Sequence, residues 1–230
     1  IGTSFTSIEN ARKNLQAEIP GWDFEAVHKQ SSSIWNEALG QMAVKGKNEE
    51  DKIKFYSALY NAHFLPRAFS DTDGSYPKFD GGERIMKMEQ GTYYCDFSQW
   101  DTYRAVHPLF TILNPSHNGD MVHSLVLKGQ QGGWLPIFPS WNSYTAAMIG
   151  DHCIAMIGDA IIKNIPGFDY EEAYALMRKN AFEMNTDSVS YRDGKGRRAM
   201  ESYLKYNYIP LEDPVMEAFH RREQVSRTLE

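Results

Sequence analysis

The stretch "AAMIGDHCIAMIGDAII", residues 146–162, is the part of this sequence that most directly indicates the fold class. On a helix over 146–163 its apolar side chains point to nearly every side, and a helix of this kind is buried among other elements. Helical periodicity recurs in seven further segments. The predicted helices are 8–19, 24–39 and 49–60, capped by Ser7, Asp23 and Asn48, then 98–113, 115–128, 146–163, 170–184 capped by Asp169, and 197–206.

The connections between these helices are alternately short and long, and one of them contains a strand-like stretch. "RIMKMEQGTYYCDF", residues 84–97, predicts a β-hairpin that turns at Gln90-Gly91. The long connections, 66–82 and 132–144, are rich in glycine, proline and aromatic residues. If successive helices pack as antiparallel hairpins, these two loops meet at one end and line a common mouth.

Composition excludes several function classes. The 230 residues carry a net charge of −6 with acidic and basic residues interspersed, so we expect no nucleic-acid partner. No apolar run reaches the roughly 20 residues that cross a bilayer, so we expect no membrane span. Cys95 and Cys153 have neither zinc-ligand spacing nor the pattern of a disulfide framework. The 13% aromatic content, much of it in loops, favours sugar stacking.

The stretch "FSQWDTYRAVHPLF", residues 97–110, places polar side chains on an apolar helix. Trp100 and Asp101 are suited to a sugar, because the ring stacks on its C–H face and the carboxylate accepts hydroxyl hydrogen bonds. The alternative is structural. Asp101 and Arg104 are three residues apart, and on one helix face they would form an exposed ion pair of little energetic value.

Two other stretches contain candidate residues. The loop 132–144 presents aromatic side chains, and Asp151-His152 then follow inside the apolar helix as a functional pair or as a structural pair that ties two helices together. "FSDTDGSY", residues 69–76, resembles the front of a calcium loop but lacks its terminal glutamate, so an Asx-turn is the preferred interpretation. The candidates are Asp71, Asp73, Trp134, Trp141 and Tyr144.

Five long motifs together resemble the exo-α-mannosidases of glycoside hydrolase family 92. They occur in the order that these enzymes show, and they cover the chain from end to end. The motifs are "SIENARKNLQAEIPGWDF", "FYSALYNAHFLPRAFSDTDGSY", "FSQWDTYRAVHPLF", "QQGGWLPIFPSWNSYTAAMIGDH" and "YLKYNYIPLE".

This resemblance implies a mainly α fold and a fragment of a larger enzyme. The resemblance implies a secreted or periplasmic, calcium-dependent, inverting enzyme with an N-terminal β-sandwich and an (α/α)6 toroid. Residues 1–230 are then one partial domain, the first half to two-thirds of the toroid, with a short β-hairpin insertion. The sandwich and the remainder of the toroid are missing parts of the same polypeptide, and the partner is a mannose-containing glycan.

The resemblance also implies roles for residues. Trp100 and Asp101 match the W-D of the family motif and are expected to hold the terminal mannose. An inverting glycosidase needs an acid and a base, and the Y-T-E-G-N-like and G-N-D-D-like strings that supply them are absent here. No catalytic residue or metal ligand is therefore assigned, calcium is expected to bind mainly outside this chain, and the chain alone is expected to be inactive. The candidates for the pocket rim are Asp71, Asp73, Arg104, Trp134, Trp141 and Tyr144.

Two alternatives remain open from the residues alone. Another (α/α)6 carbohydrate-active enzyme would share the architecture and the aromatic mouth. A helical binding or scaffold module would use the same hairpins, but it would repeat every 34 to 47 residues or so, and no such period is visible. The sequence does not indicate which α-mannosidic linkage would be cut.

Overall fold

The computed structural model describes residues 1–148 and 150–211, and about half of these residues are helical. The predicted mainly α fold class is confirmed. The helices of the described part are α1 Ile8–Glu18, α2 Phe24–Gly40, α3 Glu49–Ala62, α4 Gln99–Thr102, α5 Val106–Leu113, α6 Pro115–Gly132, α7 His152–Ile162, α8 Tyr170–Phe182, α9 Ser188–Arg192 and α10 Met200–Tyr206. The strands are β1 Arg67–Ala68, β2 Ser75–Pro77, β3 Ile85–Lys87 and β4 Tyr94–Cys95.

Helix starts follow the predicted capping residues. The side chains of Ser7, Asp23, Asn48 and Asp169 each accept a hydrogen bond from a backbone N–H in the first turn of α1, α2, α3 and α8. A cap satisfies one of the N–H groups that the first turn of a helix leaves without a partner. These four boundaries were therefore predictable from sequence.

The core is organised around α6. This helix packs against α5, α7, α8 and β4, so its apolar residues are covered on several sides. Leu125 of α6, Leu135 in the loop after α6 and Ile157 of α7 are fully buried in one cluster. By contrast, α2 has no buried residue and packs against α3.

The helix predicted over 98–113 is wrong, because the chain forms two helices there. The first, α4, ends at Thr102, and α5 begins at Val106. Pro108 explains the break, since its ring clashes with the carbonyl group four residues earlier in a continuous helix, that of Arg104. In the first turn of α5 the missing N–H of the proline costs nothing.

The helix predicted over 146–163 starts later and is less buried than expected. It begins at His152, after Gly150 adopts a left-handed conformation with φ of +89°. One face, with Cys153 and Ile157, lies in the core, but Ile162 is 82% exposed. The expectation that this helix is buried on all sides is therefore wrong.

The predicted start of the last helix at 197 is also wrong, because α10 begins at Met200. The short helix α9 was not predicted.

The hairpin predicted over 84–97 is replaced by two separate strand pairs. β3 pairs antiparallel with β2, and β4 pairs antiparallel with β1. After Gly91 the chain binds α6 instead of folding back on β3: the N–H of Thr92 donates to the Asp120 carboxylate (3.0 Å), and the N–H of Tyr94 donates to the Ser124 hydroxyl (2.8 Å). The sequence correctly indicated strands in this stretch, but the predicted pairing of the two strands with each other was wrong.

A buried lysine fastens β4 to α6. Lys128 has no exposed surface, and its ammonium donates a hydrogen bond to the carbonyl of Tyr94 (Nζ–O 2.5 Å). The same ammonium lies 3.7 Å from the centre of the Tyr93 ring and within 6 Å of the Phe79 and Phe97 rings. Such aromatic faces attract a cation. Burial nevertheless lowers the pKa of Lys128 from its usual 10.5 to about 7.

This pKa predicts a pH-dependent stability that Lys128→Met removes. Between pH 7 and 10.5 the folded protein releases a proton that the unfolded chain keeps, so stability rises with pH in that window. We expect the melting temperature of the full-length wild type, relative to that of Lys128→Met, to increase by a few degrees between pH 6 and pH 9. A temperature difference that is the same at both pH values would contradict the shifted pKa.

Candidate functional site

The two aromatic-rich loops meet, as the alternation of loop lengths predicts. The N–H of Asp80 donates to the carbonyl of Asn142 (3.0 Å), and the Asn142 side-chain amide donates to the carbonyl of Pro77 (2.7 Å). The ring centres of Phe79 and Tyr144 are 4.8 Å apart. The loops 66–82 and 132–144 therefore form one surface.

A buried carboxylate that sequence reasoning missed lies where these loops meet β4. Asp96 accepts hydrogen bonds from Nε of Arg67 (2.7 Å) and from the backbone N–H of Trp141 (2.8 Å), and Nη2 of Arg67 forms an ion pair with the same carboxylate. The Arg67 guanidinium also lies 5.4 Å from the centre of the Trp141 ring. Both partners are distant in sequence from Asp96, so no local spacing could reveal this cluster.

Trp100 and Asp101 lie at the start of α4, four and five residues after Asp96. Trp100 is 39% exposed and Asp101 is also exposed. The Asp101 carboxylate accepts a hydrogen bond from the Ser98 hydroxyl and forms no ion pair with any residue in the described ranges. Phe97 joins this segment to the second loop through a hydrogen bond from its N–H to the carbonyl of Pro139 (3.1 Å). The aromatic ring and the carboxylate are thus both accessible.

The ion pair between Asp101 and Arg104, which was the structural alternative to a sugar contact, does not form. Arg104 lies in the turn between α4 and α5, where its guanidinium is 5.1 Å from the centre of the Tyr103 ring.

His107 is part of the core. Burial lowers its pKa to about 4, and neither ring nitrogen has a hydrogen-bond partner among the described residues. A neutral buried imidazole of this kind is not an accessible ligand.

Asp151 and His152 do not pair with each other. The His152 ring stacks on Tyr103 with 4.1 Å between ring centres. Burial raises the pKa of Asp151 to about 6, although its contact with the Asn180 side-chain amide (3.5 Å) favours the ionised form. Asn180 in turn binds both the N–H and the carbonyl of Leu135 (3.0 and 3.1 Å). The pairing prediction was wrong, but each residue does link two elements.

The three loop aromatics occupy different environments. Tyr144 is buried, and its hydroxyl binds both the carbonyl and the N–H of Trp134. Trp134 is half-buried, with the Lys179 ammonium 4.6 Å from its ring centre. Trp141 is 71% exposed. Of these three, Trp141 has the ring most available to a ligand.

Asp71 and Asp73 have different roles despite their proximity. Partial burial alone would raise the pKa of Asp71, but hydrogen bonds from Thr6, Asn14, Ser4 and Asn10 outweigh it and hold the pKa below its ordinary value. Asp73 is exposed and accepts the N–H of Ser75 (2.9 Å), which confirms the predicted Asx-turn. The Asp71 carboxylate thus fastens the N-terminal segment to the first loop.

Two grooves in the described part of the chain are lined by none of the candidate site residues. A groove of about 720 Å³ lies between α2 and α3, and a smaller one of about 430 Å³ is lined by residues 2–8 and Ala11. Among residues 1–148 and 150–211 no group of three or more His, Cys, Asp or Glu side chains is arranged to hold a metal ion. No helix within the same ranges is both long and apolar enough to span a membrane.

Comparison with known proteins relates this chain to one family. Residues 10–230 match the family described as the glycosyl hydrolase family 92 catalytic domain. An "uncharacterized secreted glycosidase" of Arthroderma benhamiae is 28% identical over 93% of this chain and 23% of its own length. This chain therefore spans about a quarter of that relative.

Solved structures give the same result. The family GH92 alpha-mannosidase BT3965 from Bacteroides thetaiotaomicron matches with a TM-score of 0.80 and 31% identity over 91% of this chain and 26% of its own. It has also been solved in complex with mannoimidazole. The family GH92 inverting mannosidase BT2199 from the same organism matches with a TM-score of 0.81 and 29% identity over 91% of this chain and 28% of its own.

The contacts of Asp71 predict a structural role for its carboxylate. In the full-length protein, Asp71→Asn should lower the free energy of unfolding by about 1 to 3 kcal/mol at neutral pH, because charge-assisted hydrogen bonds are lost. Because the folded pKa is lowered, this stabilisation should disappear as the pH falls below about 4. Chemical denaturation measures both effects, with the exposed Asp73→Asn as the matched control. Equal losses in the two variants would show that the Asp71 network is not stabilising.

Proposed function

The chain belongs to glycosyl hydrolase family 92, and we propose that the protein containing it is an exo-α-mannosidase that removes terminal α-linked mannose from glycans. The observation that carries the proposal is the exposure of Trp100 beside Asp101 at the start of α4. The mannosidase activity that two similar solved structures are named for supports the choice of sugar.

The proposed roles follow from side-chain chemistry. The apolar C–H face of a pyranose stacks on an aromatic ring, which is the contact that Trp100 offers. A carboxylate accepts hydrogen bonds from two neighbouring hydroxyls, and charge strengthens each bond. Asp101 is positioned for this because its one described side-chain contact is the Ser98 hydroxyl, which leaves further acceptor capacity.

We place the catalytic acid and base outside this chain. Inverting hydrolysis uses a carboxylic acid and a carboxylate that are about 6.5–9.5 Å apart. Asp151 has the raised pKa of an acid, but it is largely enclosed, and its described side-chain contact is with Asn180. Inversion at the anomeric centre is therefore proposed from the family resemblance and the inverting relative, without a step assigned to a described residue.

Calcium and secretion are proposals on the same basis. The described residues include no group of three or more His, Cys, Asp or Glu arranged to hold a metal ion, so we propose that calcium draws its ligands mainly from other parts of the polypeptide. A secreted location is supported by the name of the Arthroderma relative. A periplasmic location would suit a bacterial source equally well.

The role of Asp101 predicts a catalytic defect without a folding defect. In the full-length enzyme, Asp101→Asn should lower kcat/KM for an α-mannoside by about ten- to a hundredfold, because charged hydrogen bonds to the sugar are weakened. Ser98→Ala is the matched control, since it removes the protein contact of Asp101 but keeps the carboxylate. An equal loss in both variants, or none in folded Asp101→Asn, would contradict sugar binding by Asp101.

The same assay tests the remaining proposals. A chelator should abolish mannose release by the full-length enzyme, and added calcium should restore it. Activity that is insensitive to chelation would overturn the calcium proposal.

The chain of 230 residues alone should release no mannose, because the acid and base are absent. Turnover by this chain would show that a catalytic pair lies within it.

A further inference from the structure

The turn at Trp141 holds a large aromatic ring in an unfavourable backbone conformation. Ser140 and Ser143 exchange backbone hydrogen bonds of 3.2 and 3.1 Å, which closes a two-residue hairpin turn. The two residues inside the turn, Trp141 and Asn142, have φ of +53° and +59°. Glycine, asparagine and aspartate suit such positions, whereas a bulky side chain there costs free energy.

Several buried contacts hold the turn in place. The Asn142 side chain binds the Tyr93 hydroxyl (2.7 Å) and the carbonyl of Pro77 (2.7 Å), and its N–H contacts Sγ of Cys95 (3.3 Å). Asp96, itself at φ of +62°, accepts the N–H of Trp141. Asn142 therefore serves as the anchor of the turn, and its neighbour is free to point outward.

The described residues cover little of the Trp141 ring. The ring is 71% exposed, and its described contact is with Arg67, whose guanidinium is charge-paired with Asp96 and still half-exposed. Strain that persists without a packing reason is concentrated at ligand-binding positions in proteins. An exposed indole beside an accessible guanidinium offers one stacking face and one hydrogen-bond donor, which is the combination that a sugar ring with its hydroxyls requires.

We propose that Trp141 and Arg67 form a second sugar contact, which binds the saccharide unit attached to the mannose held by Trp100 and Asp101. This inference rests on the proposed function. The two contacts are close in the fold, because the backbone of Trp141 is bonded to Asp96 and Trp100 follows Asp96 by four residues. Trp141 would then determine which oligosaccharides the enzyme prefers.

The test compares two substrates in the full-length enzyme. α-Mannobiose has a sugar on the leaving side, whereas α-mannosyl fluoride has none. Trp141→Asn removes the ring but suits the left-handed turn, so the melting temperature should stay unchanged or rise. We expect kcat/KM for α-mannobiose to fall about five- to tenfold, mainly through KM, while that for α-mannosyl fluoride is unchanged. Trp141→Phe, which keeps a ring, should retain most of the preference for α-mannobiose.

Each other outcome overturns the inference. Equal losses on both substrates would place Trp141 against the terminal mannose. A lower melting temperature with unchanged substrate preference would show that the ring packs against another part of the polypeptide. A wild type that hydrolyses neither substrate would contradict the proposed function itself, which distinguishes that failure from a failure of the second sugar contact.

Discussion

The hydrogen bond from the buried Lys128 ammonium to the carbonyl of Tyr94 is the constraint on which the site depends. It fastens the short β4 strand to α6, the helix around which the core packs. The adjoining residues then reach both loops: Asp96 binds the turn at Trp141, and Phe97 binds the carbonyl of Pro139. A buried charge is costly, and the aromatic rings and the carbonyl offset only part of that cost, because burial still lowers the pKa of Lys128 to about 7.

This arrangement explains how a mainly helical protein can present the proposed sugar-binding surface on loops. The segment 93–97 is buried on both sides of its backbone, so the residues that follow it start from a fixed position. Trp100 and Asp101 lie on the first helical turn after it, and Trp141 lies on the turn bonded to it. The exposed side chains thus project from a buried, hydrogen-bonded segment.

Local signals were predictable from sequence, and long-range partners were not. Asp23 was identified as a cap because its acceptor group and the N–H that it binds are three residues apart. The effect of Pro108 is equally local, although apolar periodicity concealed it. Asp71 and Asp73 look alike in sequence, yet donors about 57 to 67 residues away make one of them structural. Asp96 was missed because its partners come from two distant loops.

The most direct test is a crystal structure of the full-length protein with a non-hydrolysable, sulfur-linked α-mannobioside. We expect the terminal mannose to contact the Trp100 ring and the Asp101 carboxylate, and the second sugar to lie on the Trp141 ring near Arg67. We also expect Lys128 still to bind the carbonyl of Tyr94. A disaccharide bound away from this surface, with these side chains in contact only with solvent or protein, would contradict these expectations.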